Sequence, residues 1–311
     1  MDIKNVVVAG GGVLGSQIAF QSAYKGFNVT VWLRMESSIG RAKPKFERVR
    51  DIYVKTLETM KSNPTAYCRG LADTPDLPAE DIDKLIERAQ TALEHIHFTL
   101  SYEEAARDAD LVIEAIAENP TEKIEFYTTL AQFLPERTII ATNSSTMLPS
   151  AFAESTGRPE KYLALHFANE IWRNNTAEVM GHAGTSPEAY RQVVEFAEAI
   201  GMIPLELKKE QPGYILNSLL VPFLNSAQAL LANGVADYET IDKTWRLATG
   251  APLGPFQILD VVGLTTAYNI VVMNPDAKDP ETTAGKIAAL LKERIDAGKT
   301  GINAGEGFYR Y

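Results

Sequence analysis

Cysteine is nearly absent from the 311 residues: Cys68 stands alone. With no second thiol, an intrachain disulfide is excluded and a reducing compartment is expected. Positive charge is also short. Thirty Lys and Arg face forty Asp and Glu, a net charge of −10. That balance argues against a nucleic-acid binder or a partner of anionic membranes, both of which need a positive face. No apolar run approaches the roughly 20 residues that cross a bilayer. The opening Met1-Asp2-Ile3-Lys4 lacks the basic-then-apolar pattern of a secretory leader, so a cytoplasmic location is the expectation. There is no internal repeat, no low-complexity tract, no Gly-x-Ser-x-Gly elbow and no zinc-spaced ligand cluster, so no metal site is expected. What remains is ordinary: 45% hydrophobic and 23% charged residues, over a length suited to about two domains.

The first 33 residues carry the clearest pattern. Residues 3–9 are short, β-branched and stopped by glycine, which predicts a buried strand. Gly10-Gly11-Gly12 makes a turn. Residues 13–25 space Val13, Leu14, Ile18, Ala19 and Ala23 as a helix facing a sheet, and Gly26 closes it. A second strand follows at 28–33, completing a βαβ unit. Residues 37–95 break the rhythm: they are charged, helical and punctuated by prolines. Within 41–61 the chain carries about four more positive than negative residues, an estimate from its Lys, Arg, Asp and Glu. This reads as a helical excursion from the sheet. Alternation returns with strands near 97–99, 111–116, 138–142, 162–167, 177–180 and 202–207. After Gln211-Pro212-Gly213 strands stop, and helices are predicted over 214–232, 238–249, 256–272 and 283–297. The domain cut is placed at 208/209.

Gly10-x-Gly12-x-x-Gly15 sits between a strand and a helix, the context a dinucleotide-binding turn requires. Gly10 allows the tight turn, Gly12 lets backbone approach a pyrophosphate, and Gly15 lets helix and strand pack closely. The helix N-terminus at Val13 and Leu14 then offers free N–H groups and a positive dipole end. The end of the second strand usually supplies an acidic residue for the ribose 2′-hydroxyl. Here Leu33-Arg34 stands instead, with Ser37, Ser38 and Arg41 close behind. Arginine suits a 2′-phosphate, so NADP(H) is favoured over NAD(H), with Glu36 as an alternative acidic residue. Asn143-Ser144-Ser145-Thr146, His166 and Glu178 lie at strand ends and loops, where ligands bind on open α/β sheets. A carboxylate on His166 would fix its tautomer and raise its basicity. A lone strand histidine also suits a core position, so the residues alone leave both readings open.

Together these pieces resemble the 3-hydroxyacyl-CoA dehydrogenase family, the short 3-hydroxybutyryl-CoA dehydrogenase type in particular. The matching segments are Gly10–Gly15, Val112–Asn119 with Lys123, Asn143–Thr146, His166-Phe167-x-Asn169, Glu178-Val179, Pro212–Pro222, Pro252–Phe256 and Gly305–Tyr309. They run in family order over nearly the whole chain. The resemblance implies an α/β Rossmann-type dinucleotide-binding domain (1–208, with the helical arm 37–95) and an all-α C-terminal domain (209–311). It implies hydride transfer between C3 of a short 3-hydroxyacyl-CoA and a nicotinamide cofactor. His166 would be the base, Glu178 would orient it, Ser145 would bond the reacting oxygen, and Asn217 would hold the site from the second domain. Glu118 and Lys123 would lie near the nicotinamide ribose, and Asn143 would also belong to the cofactor site. The basic stretch 41–61 would meet the CoA phosphates. A homodimer through the C-terminal helices would bury Leu219, Leu220, Val221, Phe223, Leu224, Leu230 and Leu231.

Four departures qualify that expectation. Ala168-Asn169-Glu170 replaces the family's usual Phe-Asn-Pro. The following Trp172-Arg173-Asn174-Asn175 is more polar than usual. The cofactor aspartate is replaced by Leu33, and the arm is longer than usual. A dehydrogenase of a small non-CoA hydroxy substrate, gulonate- or carnitine-like, is therefore the second expectation. A non-catalytic dinucleotide-binding dimer is the third.

Overall fold

The computed structural model describes residues 3–311. Eight strands form one sheet in the order β3-β2-β1-β4-β5-β6-β7-β8. They are β1 (Asn5–Ala9), β2 (Asn28–Trp32), β3 (Ile96–Thr99), β4 (Leu111–Glu114), β5 (Ile139–Thr142), β6 (Tyr162–Phe167), β7 (Thr176–Gly181) and β8 (Ile203–Leu207). Every neighbouring pair is parallel except β6–β7. Strands β4, β5 and β6 are buried at every residue, as a sheet covered on both faces requires. Helices α1 (Val13–Tyr24), α2 (Glu36–Met60), α3 (Ala79–Thr91), α4 (Tyr102–Ala106), α5 (Pro120–Leu130) and α6 (Pro187–Ala199) accompany it.

The segment 37–95 is not an excursion. Its helices join the main core. Ala42, Phe46, Val49, Tyr53, Leu57 and Met60 recur at three- and four-residue steps along α2 and are all buried, one apolar stripe on a charged helix. Tyr53 is fully buried. Its hydroxyl donates to Gln21 Oε1 at 2.5 Å, and its ring meets Phe20, Tyr24 and Trp172 edge-on. Counting charges hid this stripe, because the arm's cations occupy the other face.

The chain divides into two compact units between Ile215 and Leu216, a little after the 208/209 cut. The reason is local. Tyr214 donates its hydroxyl to Ser144 O at 2.7 Å, and the Ile215 N–H donates to Glu178 Oε1 at 2.8 Å. The first residues of α7 (Tyr214–Ala232) are thereby tied to the first unit.

The second unit holds the rest of α7, then α8 (Tyr238–Thr249), α9 (Pro255–Val262), α10 (Leu264–Val271) and α11 (Thr283–Asp296). The single helix expected over 256–272 is broken at Gly263, which has φ +91 and caps both halves. Leu224, Ala227, Phe256, Leu259, Leu264, Leu291 and Phe308 form its core. Contrary to expectation, α7 has the length and apolar composition of a membrane span: 19 residues, mean hydropathy 1.4. It also carries Pro222 inside, and its Leu220, Phe223, Leu224 and Leu231 serve the unit's own core. Leu219 and Leu230 remain exposed.

Two buried carboxylates fasten the C-terminal tail: Asp242 accepts from the Tyr309 hydroxyl at 3.0 Å, and Asp260 takes three donors. Asp260, 1% exposed, accepts from the Phe308 and Tyr309 N–H groups at 2.8 and 2.9 Å and from the Tyr311 hydroxyl at 3.0 Å. Replacing Asp260 by Ala leaves these donors without their acceptor and should cost about 3 kcal/mol. Urea unfolding and carboxypeptidase release of the tail measure it. Unchanged resistance to both would show that Asp260 is not an anchor.

Candidate active site

The glycine turn is built as the dinucleotide fingerprint needs. Gly10 has φ +118, and a Cβ there would collide with Ala115 O. A Cβ on Gly15 would collide with Gly10 O, so only glycine lets α1 pack this closely. At Gly12 a Cβ would meet nothing within 4 Å. This open face is where a pyrophosphate would lie. Gly12 is the N-cap of α1, the helix has no acidic residue in its first turn, and Val13 is 63% exposed. These groups form one cleft with Leu14, Ala115, Glu118, Asn143, Ser144 and Ser145. The residues present therefore fit a bound dinucleotide.

The catalytic candidates come from the one antiparallel pair of the sheet. His166 on β6 and Glu178 on β7 are register partners, so their side chains share a face. His166 Nδ1 lies 3.1 Å from Glu178 Oε2, and Nε2 lies 3.0 Å from Ser145 Oγ. A carboxylate only accepts, so Nδ1 carries the proton in the neutral ring and Nε2 is left as the acceptor. His166 is 7% exposed and Glu178 4%. The Ile215 N–H holds the second Glu178 oxygen.

Tyr214 completes the clamp. Its ring stacks on the imidazole at 4.3 Å between centroids and 15° between planes. Its backbone has φ +54, an uncommon conformation for a bulky residue. Burial pushes its phenol well above the usual range, so the hydroxyl stays protonated as the donor to Ser144 O.

A second buried network supports the cofactor side. Glu114, at the end of β4, is fully buried and accepts four bonds. They come from Lys123 Nζ (2.6 Å), the Ile116 N–H (2.9 Å), the Tyr127 hydroxyl (2.6 Å) and the Thr142 hydroxyl (2.8 Å). Burial pushes the Tyr127 phenol well up, which keeps it a donor. Lys123 is 1% exposed and also lies 3.7 Å from Glu118 Oε2. Glu118 in turn accepts from Ser144 Oγ at 2.8 Å and the Ser145 N–H at 2.9 Å. The Asn143 side chain accepts from the Phe167 N–H at 3.0 Å, next to His166.

The first unit thus brings together His166, Glu178, Ser145, Asn143, Glu118, Lys123 and the glycine turn. Asn217 belongs to the second unit. Leu33 is 4% exposed and lies in the hydrophobic core, so it offers the ribose no acceptor. Arg34 is half exposed and paired with Glu122 at 2.7 Å. Sequence reasoning assigned no role to Glu114 or Tyr214. For Glu114 the signal was a lone acid in an otherwise apolar strand, with Lys123 nine residues on. For Tyr214 it was the residue following Pro212-Gly213 at the start of a helix.

A dinucleotide cradle beside a histidine poised to move a proton defines an oxidoreductase that uses a nicotinamide cofactor. Comparison with known proteins narrows the class. The model of the 3-hydroxyacyl-CoA dehydrogenase NAD binding domain matches residues 5–211, and that of the C-terminal domain of the same family matches 213–311. The chain belongs to the 3-hydroxyacyl-CoA dehydrogenase family. It is 32% identical to a probable 3-hydroxybutyryl-CoA dehydrogenase of Deinococcus radiodurans, covering 98% of this chain and 99% of that one. It is also 32% identical to the human mitochondrial hydroxyacyl-coenzyme A dehydrogenase, over 99% and 91% of the two chains. Among solved structures, a diketoreductase described by substrate-directed dual catalysis of dicarbonyl compounds is 50% identical, with a TM-score of 0.85 and complete coverage of both chains. The (S)-3-hydroxybutyryl-CoA dehydrogenase of Ralstonia eutropha is 26% identical, with a TM-score of 0.76, covering 100% of this chain and 99% of that one.

The buried Glu114–Lys123 pair gives a direct test. Lys123→Met leaves an uncompensated buried carboxylate and should cost about 3–5 kcal/mol. Glu114→Gln combined with Lys123→Met should restore part of that loss. Chemical denaturation of the single and double variants reads the coupling, and strictly additive losses would show that the two groups do not act as a pair.

Proposed function

We propose that the protein interconverts a short-chain 3-hydroxyacyl-CoA and the 3-ketoacyl-CoA, with His166 as the proton-transfer residue. The observation that carries this reading is the His166 clamp: Glu178 on one ring nitrogen, Ser145 on the other, and Tyr214 on the face. The nicotinamide supplies hydride acceptance and donation when bound. In the oxidative direction His166 Nε2 takes the proton of the 3-hydroxyl. Glu178 keeps that nitrogen free beforehand and stabilises the imidazolium afterwards. Ser145 Oγ, beside Nε2, donates to the reacting oxygen and holds it in line. In the reductive direction the same imidazolium returns the proton.

A second reading is reduction of a dicarbonyl substrate without CoA. Two observations favour it: the likeness to the diketoreductase and the changed segment after β6. Glu170 there has φ +58, and its N–H donates to Gln17 Oε1 at 2.9 Å. Trp172 is buried against Tyr53. The segment is thus anchored inward beside His166, with Glu170 and Arg173 exposed.

The cofactor proposed is NADP(H). Leu33 presents no carboxylate to the ribose, while Arg34 follows it in the chain and Arg41 lies beside Ser37 and Ser38. Arg41 donates to both serine hydroxyls, at 3.2 and 2.9 Å. Arg34 is held by Glu122, but an exposed ion pair of this kind is worth only about 0–1 kcal/mol, so exchange for a phosphate costs little. A homodimer through α7 would cover Leu219 and Leu230.

His166→Ala should lower turnover by roughly two to four orders of magnitude, with cofactor affinity little changed. Undiminished turnover would remove His166 from the mechanism. The substrate is decided by absorbance at the reduced-nicotinamide band, using acetoacetyl-CoA, free acetoacetate and a CoA-free dicarbonyl compound, each with NADH and NADPH. Rapid oxidation with the thioester alone supports the first reading. Turnover of the dicarbonyl compound without the thioester supports the second.

A further inference from the structure

The cations of the basic stretch 41–61 differ in their partners. Arg50 is paired with Asp51 at 2.8 Å, and Lys61 with Asp83 and Glu58 at 2.6 and 3.0 Å. Arg41 and Lys45 differ. Among the described residues their recorded partners are neutral oxygens, the Ser37 and Ser38 hydroxyls for Arg41 and the backbone oxygen of Gly11 for Lys45, at 3.1 Å. Ser37, Arg41 and Lys45 follow one another at four-residue steps, so they share a face of the helix.

That face meets the glycine turn. A Cβ placed on Gly11 would come within 2.7 Å of the Ala42 Cβ and 3.1 Å of Leu33 Cδ2. The end of β2, the glycine turn and α2 therefore converge on Gly11. This is where the dinucleotide fold puts the adenosine ribose, because the usual ribose-binding acid stands at the end of β2. In this chain the acid's place is taken by buried Leu33, and an ammonium approaches from α2 instead. Lys45 spends one of its three N–H donors on Gly11 O, leaving two for an anion.

We propose that Lys45, with Arg41, forms the phosphate-reading subsite for the cofactor's adenosine ribose, and that Lys45 is a specificity-determining residue for NADP(H). This rests on the NADP(H) reading above and extends it from the end of β2 to α2. Of the acids nearby in the chain or paired there, Glu122 is engaged by Arg34, and Glu36 is exposed at the start of α2. Lys45 reaches the glycine turn without giving up an ion pair, whereas Arg34 would first leave Glu122.

The test uses two probes that differ only in the 2′-phosphate, 2′,5′-ADP and 5′-AMP, titrated calorimetrically into the full chain and into Lys45→Gln and Lys45→Arg. The wild type should bind 2′,5′-ADP at least tenfold more tightly than 5′-AMP. Lys45→Gln should lose about tenfold in 2′,5′-ADP affinity with 5′-AMP binding and melting temperature unchanged, and Lys45→Arg should keep most of the preference. A wild type that does not distinguish the probes would overturn the NADP(H) reading, and this inference with it. A wild type that prefers 2′,5′-ADP while Lys45→Gln keeps the full preference, or weakens both probes equally, would overturn the role of Lys45 alone.

Discussion

Glu114 is the constraint on which the site depends. A carboxylate with no solvent contact must be matched by donors, or its burial is prohibitive. Four donors reach it, from α5, from β5 and from its own loop. Satisfying this one group therefore sets the spacing between β4, β5 and α5. Tyr127 extends the network to β6, its hydroxyl lying 3.0 Å from that of Tyr162. Lys123, held by Glu114, stands beside Glu118, and Glu118 carries the Ser144–Ser145 turn. A buried charge thus reaches the reacting position through side chains already fixed by packing, the arrangement a preorganised site needs.

The antiparallel β6–β7 pair supplies the other half. On a wholly parallel sheet, neighbouring strand ends point ligand-binding loops in one direction. Reversing β7 sets Glu178 directly across from His166. The pair then needs no loop to assemble it, and the imidazole is held by the sheet itself. Tyr214 fixes the remaining freedom by stacking on the ring face. Its left-handed backbone is the local strain accepted for that position, and its bond to Ser144 O links the imidazole's cover to the serine turn.

Much of this was legible. The glycine turn, the strand rhythm, and the choice of His166, Glu178 and Ser145 as residues of one site followed from local pattern and family resemblance together; the structure brings the three side chains into contact. Where expectation failed, the missing fact was a distant partner. The 37–95 segment looked like an outlying arm because its cations dominate a composition count. Its apolar stripe closes onto Phe20, Tyr24 and Trp172, none of them near it in sequence. The helix expected over 256–272 continued the apolar spacing through Gly263, yet the chain turns there, and the Leu264 N–H finds Thr300 O. Glu114 sat in plain view inside an apolar strand, but its four donors are spread over nearly thirty residues.

Sequence by itself determined the local conformations and the residue types available for chemistry: a glycine triplet before a helix, apolar runs that must be buried strands, one histidine at a strand end. Those follow from sterics and hydrophobic period, which act over a few residues. Only the tertiary structure decided which of them meet. Strand reversal at β7 chose Glu178 as the partner of His166, the packing of α2 against Gly11 brought Lys45 to the glycine turn, and the burial of Glu114 recruited Lys123. Each depends on desolvation and hydrogen-bond geometry between groups far apart in the chain, and those exist only once the sheet has closed.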